Sequence, residues 1–306
     1  MKQICFLLIP MVVFISSLNA QASFNDLNVC GKSRLAMNRI VGGSTARQGE
    51  FPWQVALMRR GRTLPICGGT LISDKWIITA AHCLRDLSTL EGVVLGAHAF
   101  GFNVNEATRE ERNIVFNDIK VHPDYNPATF HNDIALIPMN RPVQYTSNIR
   151  PACLVDVAPP AGSEVVISGW GTISAGGPQS AILKDTKVNI VSRERCQASF
   201  EDAIITQNMM CAAASGTDAC QGDSGGPMVL NQRDANGIDQ FYLAGIISWG
   251  RGCARPDFPG VYTNVANLRG WIDEIVSADQ EVIIETPEVT EPSETIDTAE
   301  ATIFDA

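Results

Sequence analysis

At 306 residues the chain is long enough for one large domain or two mid-sized ones around a substantial buried core. Its 45% hydrophobic and 18% charged residues exclude a largely disordered protein. The formal net charge of −10 is unevenly placed: Asp279 to Ala306 holds nine acidic residues and no Lys or Arg, leaving 23 basic against 24 acidic residues elsewhere. That balance does not point to a nucleic-acid or membrane-surface binder.

In chain order, residues 1–22 read as a secretory signal peptide. Lys2 supplies the positive charge, Ile4 to Ile15 the apolar run, and Ala20-Gln21-Ala22 a cleavage site before Ser23. The run is too short to span a bilayer comfortably and Pro10 interrupts it, so the expected product is secreted and extracellular, with no membrane partner. Of the nine cysteines Cys5 lies in the signal, and the remaining eight, in an exported chain, imply disulfides. Spacing alone leaves all of roughly 105 pairings open. No C-x-x-C pair suggests a thiolate metal site, and no metal is expected.

Ser23 to Arg39 is a short polar stretch with one cysteine. Beyond it come short apolar or alternating runs broken by Gly, Pro, Asn and Asp: Trp53–Met58, Cys67–Ile72, Trp76–Thr79, Glu164–Ser168 and Phe241–Ser248. Such punctuation predicts an all-β sandwich or barrel. Arg141 to Gly162, rich in Pro and small residues, reads as a linker between two halves. One helical face stands out, where Leu268, Trp271, Ile272, Ile275 and Val276 recur at helical spacing. The acidic segment 279–306, poor in aromatics, reads as a solvated, disordered appendage.

Three segments carry chemistry: Thr79-Ala80-Ala81-His82-Cys83, Asn132-Asp133-Ile134-Ala135-Leu136, and Gly222-Asp223-Ser224-Gly225-Gly226-Pro227. A serine hydroxyl needs a base within hydrogen-bonding reach to become a nucleophile at neutral pH. Imidazole suits that task because its intrinsic pKa lies near the working pH. Singly, each of these residues more often has a structural role; together, in this order, they resemble the chymotrypsin family and its trypsin-like branch from Ile40 to about Ser277. His98, His122 and His131 lack such context and are expected to be structural.

The resemblance implies two packed antiparallel β-barrels, about 40–150 and 151–277, with a C-terminal α-helix. It further implies a serine endopeptidase with Ser224 as nucleophile, His82 as general base and then acid, and Asp133 as orienting carboxylate. The N–H groups of Gly222 and Ser224 would form the oxyanion hole, each donor worth about 2.7–4 kcal/mol in the transition state. Asp218 would sit at the base of the specificity pocket and select a cationic side chain, with Ser248, Trp249, Gly250, Gly260 and Tyr262 as its lining. Ala219 stands where digestive trypsins carry a serine, so Arg is expected to be preferred over Lys.

By the same resemblance Ile40-Val41-Gly42-Gly43 is a mature N-terminus released by cutting after Arg39, making residues 23–39 an activation peptide and the chain a zymogen. The new ammonium of Ile40 would pair with Asp223 and order the site. An α-amino group has a reference pKa of about 7.7–8.0, and pairing raises it. That stabilisation is complete below the unfolded value and is lost as pH rises through the folded one.

The resemblance sorts the cysteines into Cys30–Cys153, Cys67–Cys83, Cys196–Cys211 and Cys220–Cys253, the first keeping the pro-segment attached after activation. Partners implied are a protein or peptide substrate bearing Arg or Lys, macromolecular inhibitors and an activating protease, with no nucleic acid. No cofactor is implied. Calcium is made doubtful by Ala97, which stands where trypsins offer a glutamate ligand, despite Glu106, Glu110 and Glu111 nearby. Pro259 argues against a sodium site. Arg59-Arg60-Gly61-Arg62 is a compact basic loop.

Overall fold

The computed structural model describes residues 28–35, 44–101, 104–172, 176–214, 223–233, 236–252 and 257–285. The first barrel is built from β2 (Gln54–Arg59), β3 (Cys67–Leu71), β4 (Trp76–Thr79), β5 (Leu90–Leu95), β6 (Glu110–Arg112), β7 (Lys120–Val121) and β8 (Ala135–Pro138). It is preceded by the short β1 (Ser44–Thr45). The second comprises β9 (Cys153–Leu154), β10 (Glu164–Gly169), β11 (Lys184–Val191), β12 (Met209–Ala213), β13 (Pro227–Arg233), β14 (Asp239–Trp249) and β15 (Gly260–Asn264). Two helices complete it, α1 (Arg193–Ser199) and α2 (Arg269–Glu285).

In the second sheet the order β11-β10-β13-β14-β15-β12 closes on itself through β12–β11 pairing, giving a six-stranded barrel. The first sheet runs β6-β5-β2-β3-β4-β8-β7. Its two sides meet just past β6 and β8, where Val115 N–H donates to Pro138 C=O (2.9 Å) and Asn140 N–H to Asn113 C=O (3.1 Å). β3, β4 and β8 are buried throughout and read as mainly apolar runs, with the buried threonines Thr70 and Thr79 among them. The all-β, two-barrel architecture and the C-terminal helix expected from the sequence are present. On α2, Leu268, Ile272 and Val276 are buried, and Trp271 and Ile275 pack partly against the same core.

β1 does not join the first barrel: Ser44 and Thr45 pair with Asp185 and Lys184 of β11, and Ser44 Oγ–H donates to Asp185 (2.7 Å). The helix also runs past the boundary placed at 278. Asp279 accepts from Lys75 Nζ (2.8 Å) and from Trp76 Nε1–H (3.2 Å), fastening α2 to the first barrel. Each end of the domain is thus held by the barrel it does not belong to in sequence.

Cys30–Cys153, Cys67–Cys83 and Cys196–Cys211 are disulfides, paired as expected. Cys220 and Cys253 lie outside the described residues. Around Cys30, Gly31 N–H donates to Pro151 C=O and Phe241 N–H to Gly31 C=O, which seats residues 28–35 on the second barrel. No described helix is long and apolar enough to cross a membrane.

Candidate active site

His82 lies in the turn after β4, and Asp133 immediately precedes β8, the neighbour of β4 in the sheet. The Asp133 carboxylate, 1% exposed, accepts from His82 Nδ1–H at 2.7 Å and from the His82 backbone N–H at 2.9 Å. Ser248 Oγ–H adds a third donor at 2.5 Å, and Thr263 Oγ1–H binds the Asp133 carbonyl at 2.7 Å. With its Nδ1 proton pinned, the ring presents Nε2 as a lone-pair acceptor.

The chain reaches Asp133 through two residues in the left-handed region, Phe130 (φ 56°) and Asn132 (φ 52°). Asn tolerates that conformation best among non-glycine residues. Its side chain is held by donation to Asp124 C=O (3.0 Å) and acceptance from Asn208 Nδ2 (2.8 Å). Phe130 packs edge-on against the His82 ring at 5.6 Å, with Arg85 over its own ring. Nearby, burial pushes the Tyr125 phenol above its usual range, so it stays protonated.

Ser224 comes from the second barrel, in the turn before β13. Its carbonyl accepts from Gly68 N–H of β3 (2.8 Å), while Gly225 N–H donates to Ile247 of β14 (2.8 Å). The turn is therefore clamped between the barrels. At Gly225 (φ +79°) a Cβ would stand 2.2 Å from Thr79 Oγ1 and 3.2 Å from Ala80 N, so only glycine lets this turn lie against the segment leading to His82. The Cys67–Cys83 disulfide ties Gly68's neighbour to His82's neighbour. Because its sulfurs are joined, the Cys67, His82, Cys83 grouping is not a thiolate metal centre. Ser224 and the His82 turn are thus brought together across the cleft, although among the described residues no hydrogen bond joins Ser224 Oγ to His82 Nε2.

The Asp223 Oδ1 accepts from Gly171 N–H (2.7 Å). A Cβ on Gly169 or Gly171 would fall within 2.1 and 2.3 Å of its carboxylate oxygens, so both glycines are demanded by this approach. Of the expected pocket lining, Gly250 and Gly260 oppose each other, with the Cβ that Gly250 lacks 3.9 Å from Gly260 Cα. Tyr262 is buried between Met210 and Ile247, and Trp249 packs on Phe200 at 5.0 Å. The Ser248 hydroxyl is committed to Asp133. Gly222, Asp218, Ala219, Arg39 and Ile40 lie outside the described residues.

Ser248 and Thr263 are the site residues that sequence reasoning missed as partners of Asp133. They lie 115 and 130 positions away, and nothing local distinguishes them from ordinary strand hydroxyls.

Two barrels, a buried Asp–His pair and a glycine-clamped serine turn together define a serine-peptidase architecture. The family model described as Trypsin matches residues 40–272. Mouse transmembrane protease serine 11C is 41% identical over 80% of this chain and 56% of its own length. Mouse serine protease 56 is 39% identical over 84% of this chain and 41% of its own. The chain therefore spans only about half the length of these two. Trypsin delta of Drosophila erecta is 40% identical over 76% of this chain and 87% of its own. The chain belongs to the trypsin family of serine endopeptidases.

Proposed function

We propose that the chain is a secreted endopeptidase, made as a zymogen, that cleaves after Arg in preference to Lys through a Ser224–His82–Asp133 acyl-enzyme mechanism. The observation that carries it is the buried Asp133 pinning His82 Nδ1 at 2.7 Å, which leaves Nε2 as the ring's acceptor. Ser224 Oγ attacks the substrate carbonyl carbon and passes its proton to His82 Nε2. The oxyanion is received by the N–H groups of Gly222 and Ser224. Collapse expels the amine, which takes the proton from His82, and a water then repeats the sequence to release the acid. The absent Ser224–His82 hydrogen bond does not oppose this, since such bonds tighten in the substrate complex.

Cutting after Arg39 frees the Ile40 ammonium, which pairs with Asp223 where Gly169 and Gly171 already make room for the carboxylate. Asp218 selects the cationic side chain, and Cys220–Cys253 braces that pocket. Calcium is not required. Supporting this, Glu106 commits its carboxylate to the backbone N–H groups of His98 (2.7 Å) and Ala99 (3.2 Å).

Labelling by an organophosphonate tests the reading. Activated protein reacts at Ser224, the Ser224→Ala and His82→Ala variants do not, and a peptide library is cut after Arg and Lys. Correctly cleaved protein that resists the label would mean a non-catalytic binder on the same fold.

A further inference from the structure

One side of the first barrel gathers arginines into a groove that the catalytic reading leaves unused. Arg62, Arg109, Arg112 and Arg141 line a cavity of about 310 Å³ also bordered by Glu91 and Glu111. Arg62 and Arg109 continue into an adjoining hollow of about 490 Å³. Two acids are already taken, Glu110 by Arg112 and Glu111 by Arg109. Among the described residues Arg62 and Arg141 have no ion-pair partner, and Arg59 and Arg60 of the same hairpin have none either. Arg112 is nine-tenths buried, and its Nε, like that of Arg59, has no hydrogen-bond acceptor. Burial, then the like charge of Arg141, lowers the Arg112 pKa. A carboxylate in the groove would offset the like charge of Arg141.

An acidic segment of this same chain starts close by. Asp279 of α2 is bound to Lys75, and the Lys75 carbonyl accepts from Met139 N–H (2.9 Å). The next residue, Asn140, donates to Asn113 (3.1 Å), and Asn113, Asn140 and Arg141 form one wall of the groove. Six further residues of α2 add about 9 Å. The 21 residues 286–306 then span up to about 70 Å when extended, and carry Glu288, Glu291, Glu294, Asp297, Glu300 and Asp305 with no basic residue.

We propose that segment 286–306 docks in cis along this arginine groove as the chain's own acidic ligand. An acidic segment of another protein must displace it to bind there. Tethering supplies an effective concentration on the order of 1 mM, so an affinity as weak as about 100 µM leaves the groove roughly nine-tenths occupied. The inference is independent of the catalytic reading, because neither the groove nor the segment contains a site residue.

The test is fluorescence anisotropy with a fluorescein-labelled peptide of residues 286–306, at low salt, on Ser224→Ala protein. Protein ending at Glu285 should bind the peptide with a Kd of about 10–100 µM, and the full chain at least about tenfold more weakly. Arg62→Glu with Arg141→Glu in the shortened protein should weaken binding at least about tenfold, as should 0.5 M NaCl, since charge pairing is screened. If those reversals lower the melting temperature, Arg62→Gln with Arg141→Gln gives the same reading with less perturbation. Shortened protein that does not bind saturably would overturn the proposal, as would binding indifferent to these arginines. Equal binding by full and shortened chains would assign the groove to an outside partner and also overturn it.

Discussion

Asp133 gathers most of the site's hydrogen bonds, and this makes its donors separable by mutation. Ser248→Ala removes one charge-assisted donor, a class worth about 1.5–3 kcal/mol. The remaining donor pair still holds the imidazole, so kcat should fall about tenfold or somewhat more while KM barely moves. A change confined to KM would return Ser248 to a pocket-lining role only. Gly169→Ala acts elsewhere, because its Cβ would meet the Asp223 carboxylate at 2.1 Å. Steady-state kinetics on cleaved protein should show that variant folded but nearly inactive. The motif residues themselves were legible, because His82, Asp133 and Ser224 each sit in a distinctive run of neighbours. What could not be read was the set of contacts between distant strands. Asn132 is one example, since its left-handed backbone is tolerable through partners at Asp124 and Asn208 that no local pattern announces.

At the scale of elements, continuous apolar runs predicted β4 and β14 because those strands are buried along most of their length. Trp76–Thr79 came out as expected, and the run at Phe241–Ser248 grew to β14, Asp239–Trp249. α1 escaped notice because it is seven residues long and buries only Cys196; Ser192, which accepts from Arg195 N–H as its N-cap, was the available signal. The loop between β5 and β6 is braced by one of its own side chains. Glu106 turns inward onto backbone donors, so the loop should be held by the chain itself. EDTA should leave the melting temperature unchanged, whereas Glu106→Ala should lower it by roughly 3–8 °C for a domain of this size. Differential scanning calorimetry decides, and an EDTA-sensitive melting point would restore calcium to this loop.

A second element-level contact titrates. His122, just after β7, lies against Trp271 of α2 at 5.1 Å and accepts from Asp124 N–H at Nδ1 (3.2 Å). Burial lowers its pKa, with Asp124 opposing. The folded value thus falls below the unfolded value of about 6.5, and the unfolded chain takes up more protons in between. Its contribution to stability is complete above about pH 6.5 and is lost as pH falls through the folded value. The melting temperature should therefore drop between pH 7.5 and 5, and His122→Gln should shrink that drop. An undiminished drop in the variant would mean other groups are responsible.

Over the whole molecule, the site exists only where the two barrels touch. His82 and Asp133 belong to one, Ser224 and Ser248 to the other, so the catalytic distance is set by the packing between them. At the serine turn the contact is backbone on backbone: a Cβ on Gly68 would stand 2.8 Å from Gly226 Cα and 3.0 Å from its N. Beside it the buried Ser168 Oγ–H donates to Gln54 (2.6 Å), a polar link between the barrels. Gly68→Ala must therefore push the serine turn away from the histidine turn while leaving each barrel's own ladder intact. A displacement of about 1 Å costs on the order of 100-fold in rate. The apolar cluster the barrels share, with Trp53 against Phe241 at 5.2 Å, lies apart from this glycine contact, so activity should collapse far more than stability. Paired measurements of kcat/KM and of denaturant midpoint on the same preparation distinguish this from simple unfolding. If the two fall in proportion, the barrels are not independent bodies and the cleft is not what positions Ser224.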